Sequence, residues 1–485
     1  MPAMLKTIVC LFSSLLTVAV SYAAETSESE PPNIVLIISD DQGFTDYGFM
    51  GHPHIKTPSL DRLARESTVF RRGYVPTALC RPSLMTLVTG LYAHQNLTTG
   101  NDPSPTPANK AHAKKSGKDI REVLISHIDK TGALPQWLSR KGYASHQSGK
   151  WWEGAYQRAG FTEGMSKGFP NKGGRHGDAG LAIGRDEMET VTQFIDRSVA
   201  DKKPFFVWYA PVMPHTPHNP PARLLDKYLE KGIGEYFAKY YAMCEWFDET
   251  CGALIDHIDN KGIKENTLII YVTDNGWIQN ESKRGFAARS KRSPYELGTR
   301  TPIMFRWPGT IPATERSELC SSIDFVPTIL AAAGAKGPHK FLGLNLLPEL
   351  KSGEKIGRDT LYGEAFAHDI ADIEKPQASL LHRWVIQGHD KLLLTYDGAQ
   401  GRMRHPIQNA DAQLYDLKVD PKETKNLASK KAERVRELSK LLDKWYEPKD
   451  RVAGRLEPAG ESAKQPQQKT TPQAKEKKAV GSGGV

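Results

Sequence analysis

Asp40 and Asp41 stand side by side directly after an apolar run, Asn33–Ser39 (NIVLIIS). Adjacent carboxylates repel unless they cap a turn or share a cation, and a hard divalent ion with oxygen ligands would neutralise both. A second apolar run, Thr267–Thr273 (TLIIYVT), ends in the same manner at Asp274-Asn275-Gly276. Together the two ends offer oxygen ligands for a metal, Ca²⁺ or Mg²⁺. Cys80-Arg81-Pro82-Ser83 precedes residues 84–89, which read as a helix with proline near its start. A cysteine at that positive end favours a thiolate or a bound anion, whereas an isolated cysteine is more often a small buried hydrophobe. Lys150 follows Gly149, His215 lies between prolines, and Lys291 belongs to a basic run from Lys283 to Arg292, where Arg289 or Arg292 could serve instead. Taken singly, these three read as a loop lysine, a turn histidine and a solvated face.

The elements that must position these residues follow from the apolar runs. Asn33–Ser39, Phe205–Ala210 and Thr267–Thr273 are short, almost wholly apolar and end abruptly in polar residues, as buried parallel strands do when they deliver side chains to a crevice. A fourth, less apolar strand at 143–148 leads into Gly149-Lys150. Helical stretches at 58–66, 134–141 and 187–200 alternate with them, so the expected fold is α/β, a large mixed and mostly parallel sheet with helices on both faces. The polar segment 101–118 reads as a surface loop. From about 358 the pattern changes to strands at 360–366, 384–387 and 391–396 and a helix at 428–446, a smaller β-sheet-plus-helix subdomain. The expected division is 25–350 for the α/β domain carrying the site and 351–455 for the subdomain.

In this order the motifs resemble the type I sulfatases of the alkaline phosphatase superfamily. The resemblance spans roughly 33–446 and rests on NIVLIISDDQG (33–43), Cys80–Ser83 with TGLYAH (89–94), Gly149-Lys150-Trp151 and Pro214-His215-Thr216-Pro217. It continues through TDNG (273–276), YELGTRTP (295–302), Trp307-Pro308-Gly309 and LYDLKVDPKETKNL (414–427). It implies an alkaline-phosphatase-like fold and a formylglycine made from Cys80 by a formylglycine-generating enzyme. In that family the hydrated aldehyde attacks sulfur, the alcohol leaves, and the second hydroxyl expels sulfate. It further implies that Asp40, Asp41, Asp274 and Asn275, with the group derived from Cys80, hold Ca²⁺. Lys150 would grip the diol or sulfate, while His215 and Lys291 would bind sulfate, one of them protonating the leaving oxygen. Two positions depart from the family pattern: Leu84 replaces the arginine that closes the cysteine motif, and Trp152 replaces a histidine. Indole has no proton-accepting nitrogen, so His94, His176 or Glu153 would have to supply the base.

On the substrate side, Arg175-His176-Gly177-Asp178 and His368-Asp369 are polar clusters on loops beyond the sheet, and Trp152 could stack on a sugar ring. His176, Asp178, Trp152, His368 and Asp369 are therefore the candidate substrate-binding residues.

The 485 residues are 39% hydrophobic and 25% charged, a balance that excludes collagen, coiled coils and multi-span membrane proteins. Residues 1–24 have Lys6, a short apolar stretch and Ser21-Tyr22-Ala23-Ala24, and read as a signal peptide rather than a stable membrane span. Residues 456–485 read as a disordered polar tail. The expected product is exported, periplasmic or secreted. The formal charge is +9, and setting aside Lys6 and the tail's five lysines and three glutamates leaves +6 for the body. No basic helix or aromatic-basic platform points to nucleic acid; the setting suits a sulfated carbohydrate. The expected function is hydrolysis of sulfate esters. A pseudosulfatase that binds sulfated glycans, or a phosphodiesterase or phosphonate hydrolase of the superfamily, is the alternative.

Overall fold

The computed structural model of the protein describes residues 30–397 and 411–453. The expected signal peptide and polar tail lie outside the described residues. Nine strands form the main sheet, ordered Cys320–Ser321, Thr68–Tyr74, Arg300–Arg306, Thr267–Thr273, Asn33–Ser39, Phe205–Ala210, Ala144–Gly149 and Glu163–Gly164, with Thr314–Arg316 also beside Thr68–Tyr74. Arg300–Arg306 runs antiparallel to both neighbours and the other pairings are parallel.

The central strand shows why its sequence is continuously apolar. Ile34, Leu36 and Ile38 enter one core with the Cys80–Thr89 helix, whereas Val35 and Ile37 enter another with the 26-residue Glu235–Asn260 helix. Both faces are covered, so neither alternate set can be polar. Among the described residues no helix is long and apolar enough to cross a membrane.

A four-stranded antiparallel sheet follows, ordered Thr360–Phe366, Leu380–Gln387, Asp390–Thr395 and Gln413–Asp416, with the Ala432–Trp445 helix packed on it. Aromatic and aliphatic side chains join the two sheets, among them Tyr74 and Tyr295 against Trp384 and Tyr415. Beside them the buried Lys391 ammonium lies 3.0 Å from both Glu296 and Glu423.

The expected surface loop at 101–118 needs correction. It holds a short strand, Asp102–Pro103, and a helix, Pro107–Ser116. Thr106 caps that helix by accepting from the Asn109 amide at 3.2 Å, Pro107 supplies its first residue, and Gly117 ends it in the left-handed conformation. Four cysteines are described, Cys80, Cys244, Cys251 and Cys320, and all are buried free thiols.

Candidate active site

The carboxyl ends of four neighbouring strands converge on one point. Asn33–Ser39 runs into Asp40 and Asp41, Thr267–Thr273 into Asp274 and Asn275, Ala144–Gly149 into Lys150, and Phe205–Ala210 into the segment that reaches His215. Gly149 makes this convergence possible. Its φ is +81°, and a Cβ there would lie 1.9 Å from the Ala210 carbonyl oxygen, which accepts from the Lys150 amide at 2.7 Å. The Cys80–Thr89 helix brings its first residue to the same place from one face of the sheet.

There the Cys80 sulfur, a ring nitrogen of His215 and one oxygen from each of Asp40 and Asp41 lie within 4.8 Å of one another. Lys150 Nζ lies 2.6 Å from Asp40 Oδ1 and 3.4 Å from Asp274 Oδ2. Lys291 Nζ lies 2.6 Å and 2.8 Å from the two oxygens of Asp41. Asp274 Oδ1 accepts from the Asp41 amide at 3.1 Å, and Asn275 Nδ2 donates to Asp41 Oδ1 at 2.6 Å. His215 Nδ1 donates to the Thr216 carbonyl at 2.6 Å, leaving Nε2 directed at the site, 3.4 Å from Asp41 Oδ2.

Burial sets the electrostatics. It favours the neutral form of every group, and Asp40 resists: Lys150, helped by His215 and Lys291, holds its carboxyl well below the usual range. Asp274 has no such excess of cations. Burial, with Asp40 and Asp41 adding repulsion, raises it to about 8. Burial opposes the charge on Lys150, yet Asp40, Cys80 and Asp274 keep its ammonium well above its usual range. Asp41 does the same for Lys291 against the same burial penalty. Burial lowers His215 and raises the Cys80 thiol to about 11, although Lys150 and Lys291 pull the thiol down. Burial thus opposes a thiolate at the unmodified sulfur, leaving the bound anion of the two outcomes that the helix end favours.

These residues fit a divalent cation. Asp40 Oδ2 and Asn275 Oδ1 are buried without a hydrogen-bond partner, in a setting of three carboxylates and an amide, the hard oxygen donors that Ca²⁺ prefers.

Above the cluster opens a cavity of about 530 Å³. Its lining includes Cys80, Lys150, Trp152, His176, His215, Lys291 and His368, so these expected residues share one space. Asp178 and Asp369 are not among its lining residues. The Asp178 carboxylate instead accepts from the amides of Lys167, Gly168 and Ala179 and shapes its own loop. Asp369 is exposed and lies 2.6 Å from Nδ1 of His368, which does line the cavity. Of the three candidate bases, His176 lines the cavity. Burial, with Lys150 and Arg175 adding to it, lowers His176 to about 4, and its Nδ1 has no hydrogen-bond partner. His94 is held 2.8 Å from Glu364, and Glu153 is bound to Arg81. Trp151 packs edge-on against Phe161 and Trp208, whereas Trp152 faces the cavity with the Arg175 guanidinium 4.7 Å above its ring.

Lys291, rather than Arg289, reaches Asp41; Arg289 turns to the Glu423 carbonyl and lies over the Tyr295 ring. Sequence reasoning overlooked Asn101, Trp277, Arg284 and Phe286, which also line the cavity. They come from loops with no periodic signal. The second cluster of possible metal ligands among the described residues is Asp102, His368 and Asp369. Asp102 there is bound by Arg121 and Arg175.

Comparison with known proteins agrees with this architecture. The sulfatase family model matches residues 32–335, and a model of the N-sulphoglucosamine sulphohydrolase C-terminal region matches 286–447. The chain is 26% identical over 460 residues to arylsulfatase A of Homo sapiens, covering 84% of this chain and 85% of that protein. It is 29% identical over 376 residues to N-acetylgalactosamine-6-sulfatase of Mus musculus, covering 69% of each. The crystal structure of Ps i-CgsB superimposes with a TM-score of 0.68 at 23% identity, covering 86% of this chain and 92% of that one. Ps i-CgsB has also been solved in complex with k-i-k-neocarrahexaose. With the sulfatase model matched across well over half of the chain, and the strand-end cluster and mixed sheet in place, the protein belongs to the sulfatase family of the alkaline phosphatase superfamily and is a sulfuric ester hydrolase.

Proposed function

We propose that this sulfatase is exported and hydrolyses sulfate esters on carbohydrate, using a formylglycine made from Cys80 and Ca²⁺ held by Asp40, Asp41, Asp274, Asn275 and the Cys80-derived group. One observation carries the reading: Cys80 lies at the floor of a cationic cavity, within 4.8 Å of ligand atoms of Asp40, Asp41 and His215. The names of the mouse relative and of the oligosaccharide bound to Ps i-CgsB support a sugar as the carrier of the ester.

Formylglycine, when formed, supplies one hydroxyl to attack sulfur and another to release sulfate, avoiding attack by water on a hindered anion. The cation, when bound, supplies positive charge that lowers the hydroxyl pKa and polarises a sulfate oxygen. Lys150 and Lys291 keep their protons because their carboxylate partners outweigh burial, and so hold the sulfate oxygens. His215, fixed through Nδ1, presents Nε2 to the leaving oxygen, and one of His215 and Lys291 protonates it. His176 is neutral at pH 7 and lines the same cavity, which suits it to accept the proton when sulfate is expelled, the task Trp152 cannot perform. Trp152, His176 and His368 form the wall that meets the sugar.

Mass spectrometry of the Cys80 peptide from the native host tests the nucleophile. Formylglycine is expected; unmodified thiol alone would refute the mechanism. Cys80→Ala should abolish sulfate release from sulfated oligosaccharides, and unchanged release would remove Cys80 from the reaction.

A further inference from the structure

We propose that Arg81, held by Glu153, is a positioning residue that sets Cys80 and Asn101 at the floor of the cavity; the proposal rests on the reading of Cys80 given above. Arg81 follows Cys80 directly and is wholly buried. Its Nε and Nη2 each donate to one oxygen of Glu153 at 2.7 Å, the two-pronged geometry that fixes a guanidinium in plane. Its backbone amide donates to Asn101 Oδ1 at 3.1 Å, and Nη1 donates to the Asn101 carbonyl at 3.3 Å. With Oδ1 taken up in this way, Asn101 turns Nδ2 toward His368 Nε2, 3.3 Å away. Both Asn101 and His368 line the cavity.

Glu153 ends the segment Lys150-Trp151-Trp152-Glu153, so the ion pair ties the residue beside Cys80 to the segment that carries Lys150 and Trp152. Leu84, one turn along the same helix, packs in the apolar core and adds no polar contact. Arg81 is therefore the group through which this helix start is registered against the opposite wall. A buried, fully paired guanidinium and carboxylate contribute little net stability over apolar residues of similar volume, but they admit one arrangement. Arg81 adjoins Cys80 and hydrogen-bonds Asn101 of the cavity lining, and misplacement of such groups by about 1 Å can cost about 100-fold in rate.

The test uses the full-length enzyme, matured with the formylglycine-generating enzyme and normalised by mass spectrometry to the fraction of Cys80 converted. Arg81→Met combined with Glu153→Leu removes both charges at similar volume. The expected result is kcat lower by about 100-fold per converted molecule, with KM within about threefold of the parent and an almost unchanged melting temperature. Arg81→Lys keeps the buried charge while losing the fork and the Asn101 contact, and serves if the double variant does not fold; kcat should fall about tenfold. A kcat within about threefold of the parent in a folded, converted variant overturns the proposal. A crystal structure of Arg81→Lys supplies a readout independent of turnover. A shift of the Asn101 backbone, released from Nη1, and of Cys80 with it is expected, and unmoved Cys80 and Asn101 overturn the proposal. Absence of sulfate release by the parent enzyme would overturn the sulfatase reading at Cys80 instead, with the crystallographic result still deciding the positioning role.

Discussion

Asp274→Asn should raise the melting temperature in chelator and remove most of the further rise that Ca²⁺ gives the parent. Asn keeps an oxygen to accept from the Asp41 amide but cannot take up the negative charge that a cation would draw out of the carboxyl. In the metal-free protein the folded carboxyl lies near 8 against an ordinary 3.8, because burial and the repulsion of Asp40 and Asp41 disfavour its charge. A carboxyl raised on folding contributes stability that is present below its unfolded pKa and lost as pH rises through the folded value. Between about pH 4 and pH 8 the metal-free protein therefore loses stability to Asp274, by about 4 kcal/mol at pH 7. Replacing it relieves that penalty less the cost of burying an amide, for a gain of about 2–3 kcal/mol. At about 1 °C per kcal/mol for a chain of this size, the variant should melt about 2–3 °C higher in chelator. With Ca²⁺ at 100 times its dissociation constant the parent gains about 2.7 kcal/mol, a rise the variant should largely lose with its ligand. Differential scanning fluorimetry at pH 7, in chelator and across a Ca²⁺ titration, reads both effects. A variant that melts lower than the parent in chelator, or rises equally with Ca²⁺, would refute assignment of Asp274 to a cation.

Two further expectations concern the proposed base and the buried ion group between the sheets. If neutral His176 takes the proton from the second hydroxyl, kcat should fall as pH drops through about 4, the value to which burial, Lys150 and Arg175 depress it. His176→Gln should lower kcat about 100-fold and remove that acid limb; a pH–rate profile with the limb intact excludes His176. Lys391→Met leaves Glu296 and Glu423 buried without their shared ammonium and should cost about 3–5 kcal/mol, read as a lower urea midpoint. An unchanged midpoint would mean that this group does not join the sheets.

The apolar strands were legible because the same physics sets both their composition and their ends. Asn33–Ser39, Phe205–Ala210 and Thr267–Thr273 are covered on both faces, so their sequences are continuously apolar and stop where the chain meets the crevice. Thr68–Tyr74 and Arg300–Arg306 gave no such signal. The first carries half-buried Arg71 and Arg72, and the second begins at Arg300 and contains Pro302. Both belong to the part of the sheet where antiparallel pairing enters. The carboxylates, Lys150 and His215 could be anticipated at strand ends. The Arg81–Glu153 pair could not, since 72 residues separate its members and Glu153 reads from sequence as a possible base, not as the partner of a buried arginine.

The cluster at the strand ends has two functions that charge alone couples. A lysine as deeply buried as Lys150 would lose its proton to desolvation unless a carboxylate outweighed that cost, and Asp40 at 2.6 Å does so. Asp41 performs the same service for Lys291 at 2.6 Å. The carboxylates proposed to hold the cation are therefore also the groups that keep the two proposed sulfate-binding ammoniums charged. With Asp274 raised to about 8, Asp40 and Asp41 balance the two lysines near neutral pH, and a divalent cation that ionises Asp274 would bring the cluster to +1, the sign that a sulfate ester requires. On the proposed function, anion binding at this cavity floor would depend on the cation through the charge balance of Asp40, Asp41, Asp274, Lys150 and Lys291 as well as through direct contact with sulfate.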